Sequence, residues 1–394
     1  MAHTLSTGSG VVLGLIRSGQ ATTRSGLIDQ LGWSRITLAR RLDELLLASI
    51  VVSVGQLDSR GGRPPEEFAV NPNAGLLLAV DIGGSHTRLA VTDLVSTILS
   101  EDDADIGLSE GPEDVFDWAI QVFDHMLERL GKTRGDVVGI GVGVPGPIDF
   151  LTGRLAAPQV CPQWEGVLVE DYFAGRYDHV VFAVDRDVNI MAVAEVREGG
   201  SGYRDVAVLK AGIGVGLAFV LDGSIYHGSR GGAGDLSSVR ASGAQTERLE
   251  TLASGAVIRR ELQRRGYSVR TSTDIVSLAH QGDPEVLRLL GETGTAIGQS
   301  LAHVVGLLNP EAVVIGGNLA QAGEPFLGAI REAIFSGARD FALQGLVVEQ
   351  SRLGHIAGVT GASLIAQDAL FDADRISRLT RGGVPGVSIR ALAT

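Results

Sequence analysis

Over the first seventy residues the apolar positions change from helical to strand-like spacing. SGVVLGLIRSG, residues 9–19, is apolar at three- and four-residue intervals and stops at a glycine, which predicts a helix. TRSGLIDQLG repeats the pattern over a shorter span that ends at Gly32. In WSRITLARRLDELLLAS, Ser34 supplies an N-cap oxygen and Leu38, Leu42, Leu45 and Leu46 line one stripe. Arg35, Thr37, Arg40 and Arg41 occupy the opposite face. From Ile50 the chain alternates as a strand, is expected to turn at Asp58 to Gly62, and returns through EEFAV. Three helices followed by a β-ribbon predict a winged helix-turn-helix. The third helix of such a unit enters the major groove, and its wing, here carrying Arg60 and Arg63, reaches the backbone or minor groove. Taken alone, the third segment reads equally well as a solvated amphipathic helix. The turn at Gly32 and the arginine-bearing hairpin favour the DNA-binding reading.

Beyond residue 75 the pattern becomes one of short buried runs ending in glycines. LLLAV leads into Asp81, Gly83 and Gly84, and a second run, Leu89 to Thr92, ends in Asp93. VAVLKAGIGVGLAFV and AVVIGGNLA repeat the device around Gly212 and Gly214 and around Gly316 and Gly317. Such turns let backbone N–H groups approach an anion, and a leading Asp can hold a metal–phosphate complex. A tight hairpin with no ligand gives the same D-x-G-G. The recurrence of strand plus glycine turn predicts an α/β body of two related lobes with a cleft between them.

Composition narrows the class. A chain of 394 residues exceeds one ordinary core. Hydrophobic residues at 44% and charged ones at 20% fit a globular protein. The net charge of −13 is uneven, since up to Pro65 seven arginines face four carboxylates; that segment is near +3, leaving about −16 for the rest. A basic unit on an acidic body implies two tasks. Cys161, the single cysteine, excludes disulfides and a thiolate zinc cage. With no signal-like start and no uninterrupted apolar run of membrane-spanning length, a cytoplasmic protein without a membrane partner is expected.

In their order these motifs resemble the ROK family of repressors and sugar kinases. Ser34, Arg35, Thr37 and Arg40 match the S-R-x-T-x-x-R of its repressors, and SRGGRPP matches their wing-to-linker segment. Asp81, Gly83, Gly84 and Asp93 resemble the first phosphate motif. Pro145, Gly146 and Trp164 resemble the turn and tryptophan that follow, and NPEAVVIGGNLA the adenosine-side motif. The resemblance puts Asp187 at the general-base position of the kinases, with Asn189 and Glu195 also fitting, and Glu250 at a sugar-binding Glu. Around these the match departs. Arg186 replaces a sugar-binding Asn, and Lys210 and Ala211 open what is usually G-T-G-I-G-x-G. Asp235 and Ser238 stand where Glu and His grip sugar and zinc, and the zinc cysteines are missing from ASGAQTER.

The resemblance implies a winged helix-turn-helix over 1–72, then a two-lobed actin-like, ribonuclease H-like sugar kinase fold. Its lobes would span 73–182 and 183–375, with an extension over 376–394 to which no role is assigned. A regulator, a repressor, is expected. It would bind operator DNA through Ser34, Arg35, Thr37, Arg40, Arg41, Arg60 and Arg63. A sugar-like effector would be held by Arg186, Asp187, Asp235, Ser238 and Glu250. No zinc and no other cofactor is expected, and the assembly is expected to be a homodimer or homotetramer. One alternative is an ATP- and magnesium-dependent sugar or amino-sugar kinase using Asp187 as base and the glycines above for nucleotide. Another is a DNA-bound regulator whose cleft takes no small molecule.

Overall fold

The computed structural model describes residues 8–56, 65–156, 161–236, 239, 248–380 and 389. Its N-terminal arm contains α1 (Ser9–Arg17), α2 (Arg24–Leu31), α3 (Arg35–Leu47) and the antiparallel strands β1 (Val51–Gln56) and β2 (Glu66–Val70). The boundaries follow from local chemistry. Thr23 caps α2 by accepting from the Gly26 N–H, and Gly32, at φ 65°, closes that helix in the left-handed region. Two residues later Ser34 Oγ accepts from the Thr37 N–H at 3.1 Å and starts α3. Leu38, Leu42 and Leu45 are buried against Val12, Leu13, Leu27 and Phe68, while Leu46 is half-buried at the edge. The expected wing turn, with Arg60 and Arg63, lies outside the described residues.

The body holds two five-stranded sheets. The first contains β3 (Leu76–Ile82), β4 (Thr87–Thr92), β5 (Ile98–Ala104), β6 (Val137–Val144) and β7 (Val181–Arg186), in spatial order β5-β4-β3-β6-β7. The second contains β8 (Val206–Ala211), β9 (Val215–Leu221), β10 (Ser224–Ile225), β11 (Ala312–Gly316) and β12 (Val347–Gln350), in order β10-β9-β8-β11-β12. In both, the first three strands form an antiparallel meander and the last two run parallel to the first. The repeated topology is that of the actin-like sugar kinase fold.

Helices cover both sheets. α4 (Pro112–Arg129) buries Phe116 and Phe123 on the first, where Trp164 meets Phe116 edge-on and donates to the Leu108 carbonyl at 2.9 Å. α5 (Asp187–Arg197) follows β7 directly. α6 (Gly255–Arg264), α7 (Pro284–Leu308) and α8 (Glu324–Gly337) pack in the second lobe. α9 (Ala357–Leu370) then returns to the first sheet, and α10 (Ala373–Thr380) reaches the arm. The first lobe is therefore not one continuous segment. It takes β7 through Arg186 and a covering helix from near the C-terminus.

Close backbone approach seats α9. A side chain on Gly361 would begin 1.8 Å from the Ile190 carbonyl of α5, and one on Gly141 of β6 would begin 1.9 Å from the Ala362 carbonyl. The extension to which the sequence assigns no role begins within α10, where Ile376 is buried in the arm's core and Ser377 Oγ accepts from the Gly10 N–H. Leu77, Leu94, Val138 and Val181 of the first lobe join the same apolar cluster. Arm and body thus share a core. No helix among the described residues is long and apolar enough to cross a membrane.

Gly361→Ala is expected to lower the unfolding free energy by about 2–3 kcal/mol, because the added carbon meets backbone that cannot yield. Gly14→Ala, in α1 with open space around it, is expected to be neutral or to stabilise by up to about 1 kcal/mol. Urea unfolding midpoints of the two variants check this contrast.

Candidate functional site

Three charged side chains from three elements meet where the lobes join. Asp81 comes from β3, Asp187 is the first residue of α5, and Lys210 lies near the end of β8. Lys210 Nζ is 2.9 and 3.3 Å from the Asp81 carboxylate oxygens and 3.1 Å from Asp187 Oδ2. Each of the three side chains is less than one-fifth exposed. Burial alone would favour the neutral amine, but the charges of Asp187 and Asp81 outweigh it and hold Lys210 well above the usual lysine range. Burial pushes the Asp187 carboxyl upward and Lys210 opposes it.

The glycine turns pack around this cluster. Gly83 N–H donates to the His86 carbonyl at 2.8 Å; Asp93 lies instead at the opposite end of the β3–β4 pair from Asp81, where it closes the β4–β5 turn by accepting from the Val95 and Thr97 N–H groups. Gly255 and Ala256, at the start of α6, donate to the Gly212 and Ile213 carbonyls, so these helix N–H groups face backbone. Gly317 sits at φ 82°, where a side chain would begin 2.3 Å from the Ala211 carbonyl, and Gly316 lies against Met191 of α5. Gly316 and Gly317 thus let α5 and the second sheet approach closely, while the space beside Gly212 is open.

On the expected effector side, Arg186 is buried and donates to the Ala233 and Gly234 carbonyls at 2.5 and 3.4 Å, which ties the start of α5 to the loop that carries Asp235. Burial, with the nearby charge of Asp235, pushes the Glu250 carboxyl upward, while the Val215 N–H pulls it down. Glu250 lies against Gly214. Glu250, with Asp235 near it, thus borders the 212–216 turn, while Arg186 and Asp187 meet the 233–234 loop and Lys210. Ser238 and the expected remnant of the zinc segment, 240–247, lie outside the described residues.

Sequence reasoning passed over several neighbours. Asp185, buried, accepts from Asn189 Nδ2 and is 2.7 Å from His227 Nε2, and the His227 ring stands edge-on to Phe150 with centroids 4.5 Å apart. Arg230 pairs with Asp149 at 2.6 Å. The doubled carboxylates of D-R-D are the one signal that could have pointed to Asp185; nothing in the spacing marks His227 or Phe150. Glu195, read beside the base motif, accepts instead from Ser351 and from the Arg352 and Leu353 N–H groups.

The arm presents Ser34, Arg35, Thr37 and Arg40 to solvent, with Ile36 between them 84% exposed. Arg41 does not share that face. It is half-buried and binds the Glu44 carboxylate at 3.1 and 3.2 Å, because Glu44 is itself buried beside Ser9 and needs a cation.

The two carboxylates that the family resemblance assigns to metal–phosphate and to a substrate proton, Asp81 and Asp187, share one ammonium, that of Lys210. Among the described residues no group of three or more His, Cys, Asp or Glu side chains is gathered as a metal site.

These features place the chain in the class of actin-like two-lobed proteins of the sugar kinase type. The ROK family model matches residues 77–369, and the chain belongs to the ROK family. It is 26% identical to the xylose repressor of Caldicellulosiruptor bescii over 385 residues, covering 91% of this chain and 95% of that one. It is 28% identical to the glucokinase of Halalkalibacterium halodurans, covering 74% of this chain and 94% of that one. The crystal structure of a ROK family transcriptional regulator, a homologue of the E. coli MLC protein, shares the fold over 93% of this chain and 96% of that one, with TM-score 0.75 and 22% identity.

Glu250→Gln is expected to raise the melting temperature at neutral pH. A carboxyl with a raised folded pKa contributes stability that is full below its unfolded value, near 4.5, and is lost as pH rises through the folded value. Glutamine does not titrate, so the gain should vanish as pH falls below about 4.5. Melting temperatures of both proteins across acid to neutral pH test the sign.

Proposed function

We propose that this chain is a transcriptional repressor that binds operator DNA through its N-terminal arm and reads a neutral sugar at the lobe junction without phosphorylating it. The observation that carries the proposal is where the relatives align. The glucokinase covers nearly all of its own length yet only 74% of this chain, whereas the xylose repressor covers 91% of it. What a kinase of the family can do without, and this chain has, is the arm.

The interior of the body agrees. Sugar phosphorylation needs a carboxylate free to accept the hydroxyl proton and a site for metal-bound phosphates. Lys210 occupies Asp187 and Asp81 together, and Ala211 offers no hydroxyl to phosphate. Arg186 and Lys210 are already bound, to carbonyls and to carboxylates, which disfavours a phosphorylated effector. Asp235 and Glu250 suit sugar hydroxyls instead, as acceptors. On the arm, Arg35 and Arg40 suit phosphates or guanine, and exposed Ile36 suits a thymine methyl. A twofold operator asks for two arms, which matches a homodimer or a dimer of dimers.

Three experiments test this. DNA enriched from a random library by the full chain should lose affinity to Arg35→Ala and Arg40→Ala, with the salt slope falling by about 1 per phosphate contact removed; unchanged affinity and slope would sink the DNA reading. ADP release with pentoses, hexoses and N-acetyl sugars should stay at background; turnover that Asp187→Asn abolishes would restore the kinase. D-xylose and related neutral sugars should raise the melting temperature, by about 2.7 kcal/mol of added stability at 100 times Kd. If none of the panel does so, control by a protein partner, or no control, replaces the effector reading.

A further inference from the structure

Asp368, near the end of α9, binds two arginines that belong to different parts of the molecule. Arg197, the last residue of α5, donates Nη1 to Oδ1 at 2.9 Å and Nη2 to Oδ2 at 2.7 Å. Arg17, the last residue of α1, donates Nη2 to the same Oδ1, and its Nε reaches Gln367 Oε1 at 2.8 Å. Gln367 is anchored in turn on the Leu94 carbonyl of the first lobe. Burial would push the Asp368 carboxyl up, but the hydrogen bond from Arg197 and the charge of Arg17 outweigh it and hold it below the usual carboxylate range.

Both helices that end at Asp368 begin at the charged junction of the lobes. α5 starts with Asp187, and its eleven residues span roughly 15 Å. α9 starts against Asp81, so closely that a side chain on Gly358 would begin 1.9 Å from Asp81 Oδ2. The two helices touch backbone to backbone at Gly361 and Ile190, so neither can shift alone. A change in how Asp81, Asp187 and Lys210 are arranged therefore has two packed rods through which to reach Asp368. The residue waiting there, Arg17, closes the first helix of the arm.

We propose that Asp368 is a positioning residue for DNA binding: it fixes the arm on the body through Arg17 and, through Arg197, makes the arm's position depend on the state of the lobe junction. This rests on the reading of the arm as DNA-binding and of the junction as an effector site. Neither Arg17 nor Arg197 lies on the exposed α3 face, so their effect on DNA should come through arm position and not through phosphate contact.

The test uses the full chain and the variants Arg17→Gln, Arg197→Gln, the double variant, Asp368→Asn and Asp368→Glu. In the absence of DNA, Arg197→Gln should speed amide hydrogen exchange in α1 by about fivefold or more, with β8 and β9 unchanged. On DNA selected by the parent chain, Arg17→Gln and Arg197→Gln should each shift affinity by about fivefold with the salt slope kept. Their effects should be non-additive, because the two arginines share one carboxylate. Asp368→Glu should restore part of what Asp368→Asn loses. Parent-like exchange in α1 with Arg197→Gln, or strictly additive effects on affinity, would overturn the proposal. Failure of the DNA reading shows separately, as an Arg35→Ala variant with unaltered binding, and leaves the exchange measurement to decide the role of Asp368.

Discussion

Lys210 joins the two halves of the body. It extends from the second sheet to a carboxylate of the first and to the helix that links them, and nearly every feature of the junction is arranged around that contact. A buried cation between two carboxylates is costly to desolvate, and such a pair stabilises little compared with apolar packing of the same volume. Removing one partner is another matter, at about 3–5 kcal/mol, because a charge is then left stranded. The interaction therefore specifies an arrangement more than it strengthens one. The positive charge between the two carboxylates is covalently part of the chain.

The consequences run outward along α5 and α9. Both helices start at the charged cluster, both are locked by glycines that bring backbone against backbone, and both finish at one carboxylate that also holds the arm. The arm is not a bead on a linker. Its core includes residues of β3, β6, β7 and α9, and α10 lies along α1. A shared core is what allows a change of a few tenths of an ångström at the junction to matter for DNA, because packed interiors shift between discrete arrangements and do not deform smoothly.

Much of the architecture was legible in the chain. The three arm helices, the cap at Ser34 and the stop at Gly32 follow local rules that act within a few residues, and the structure places them where those rules do. The glycine turns were equally readable. Arg41 was not. Its position on the helical wheel suggested solvent, and only the burial of Glu44 beside Ser9 explains why it turns inward. Asp185, His227 and Phe150 come from separate segments and meet only in space.

By itself, the sequence determined the element types, the basic arm on an acidic body, the family, and the set of residues that depart from a sugar-kinase site. Those properties are local or compositional, so spacing and residue type suffice. The tertiary structure decided what the departures mean. A lysine in place of a glycine reads as a stray charge until the fold carries it to two carboxylates 129 and 23 positions away in the chain. A C-terminal segment without a motif reads as a tail until it packs on α1. Coulomb attraction and close packing depend on distance in space, and the chain alone does not contain that distance.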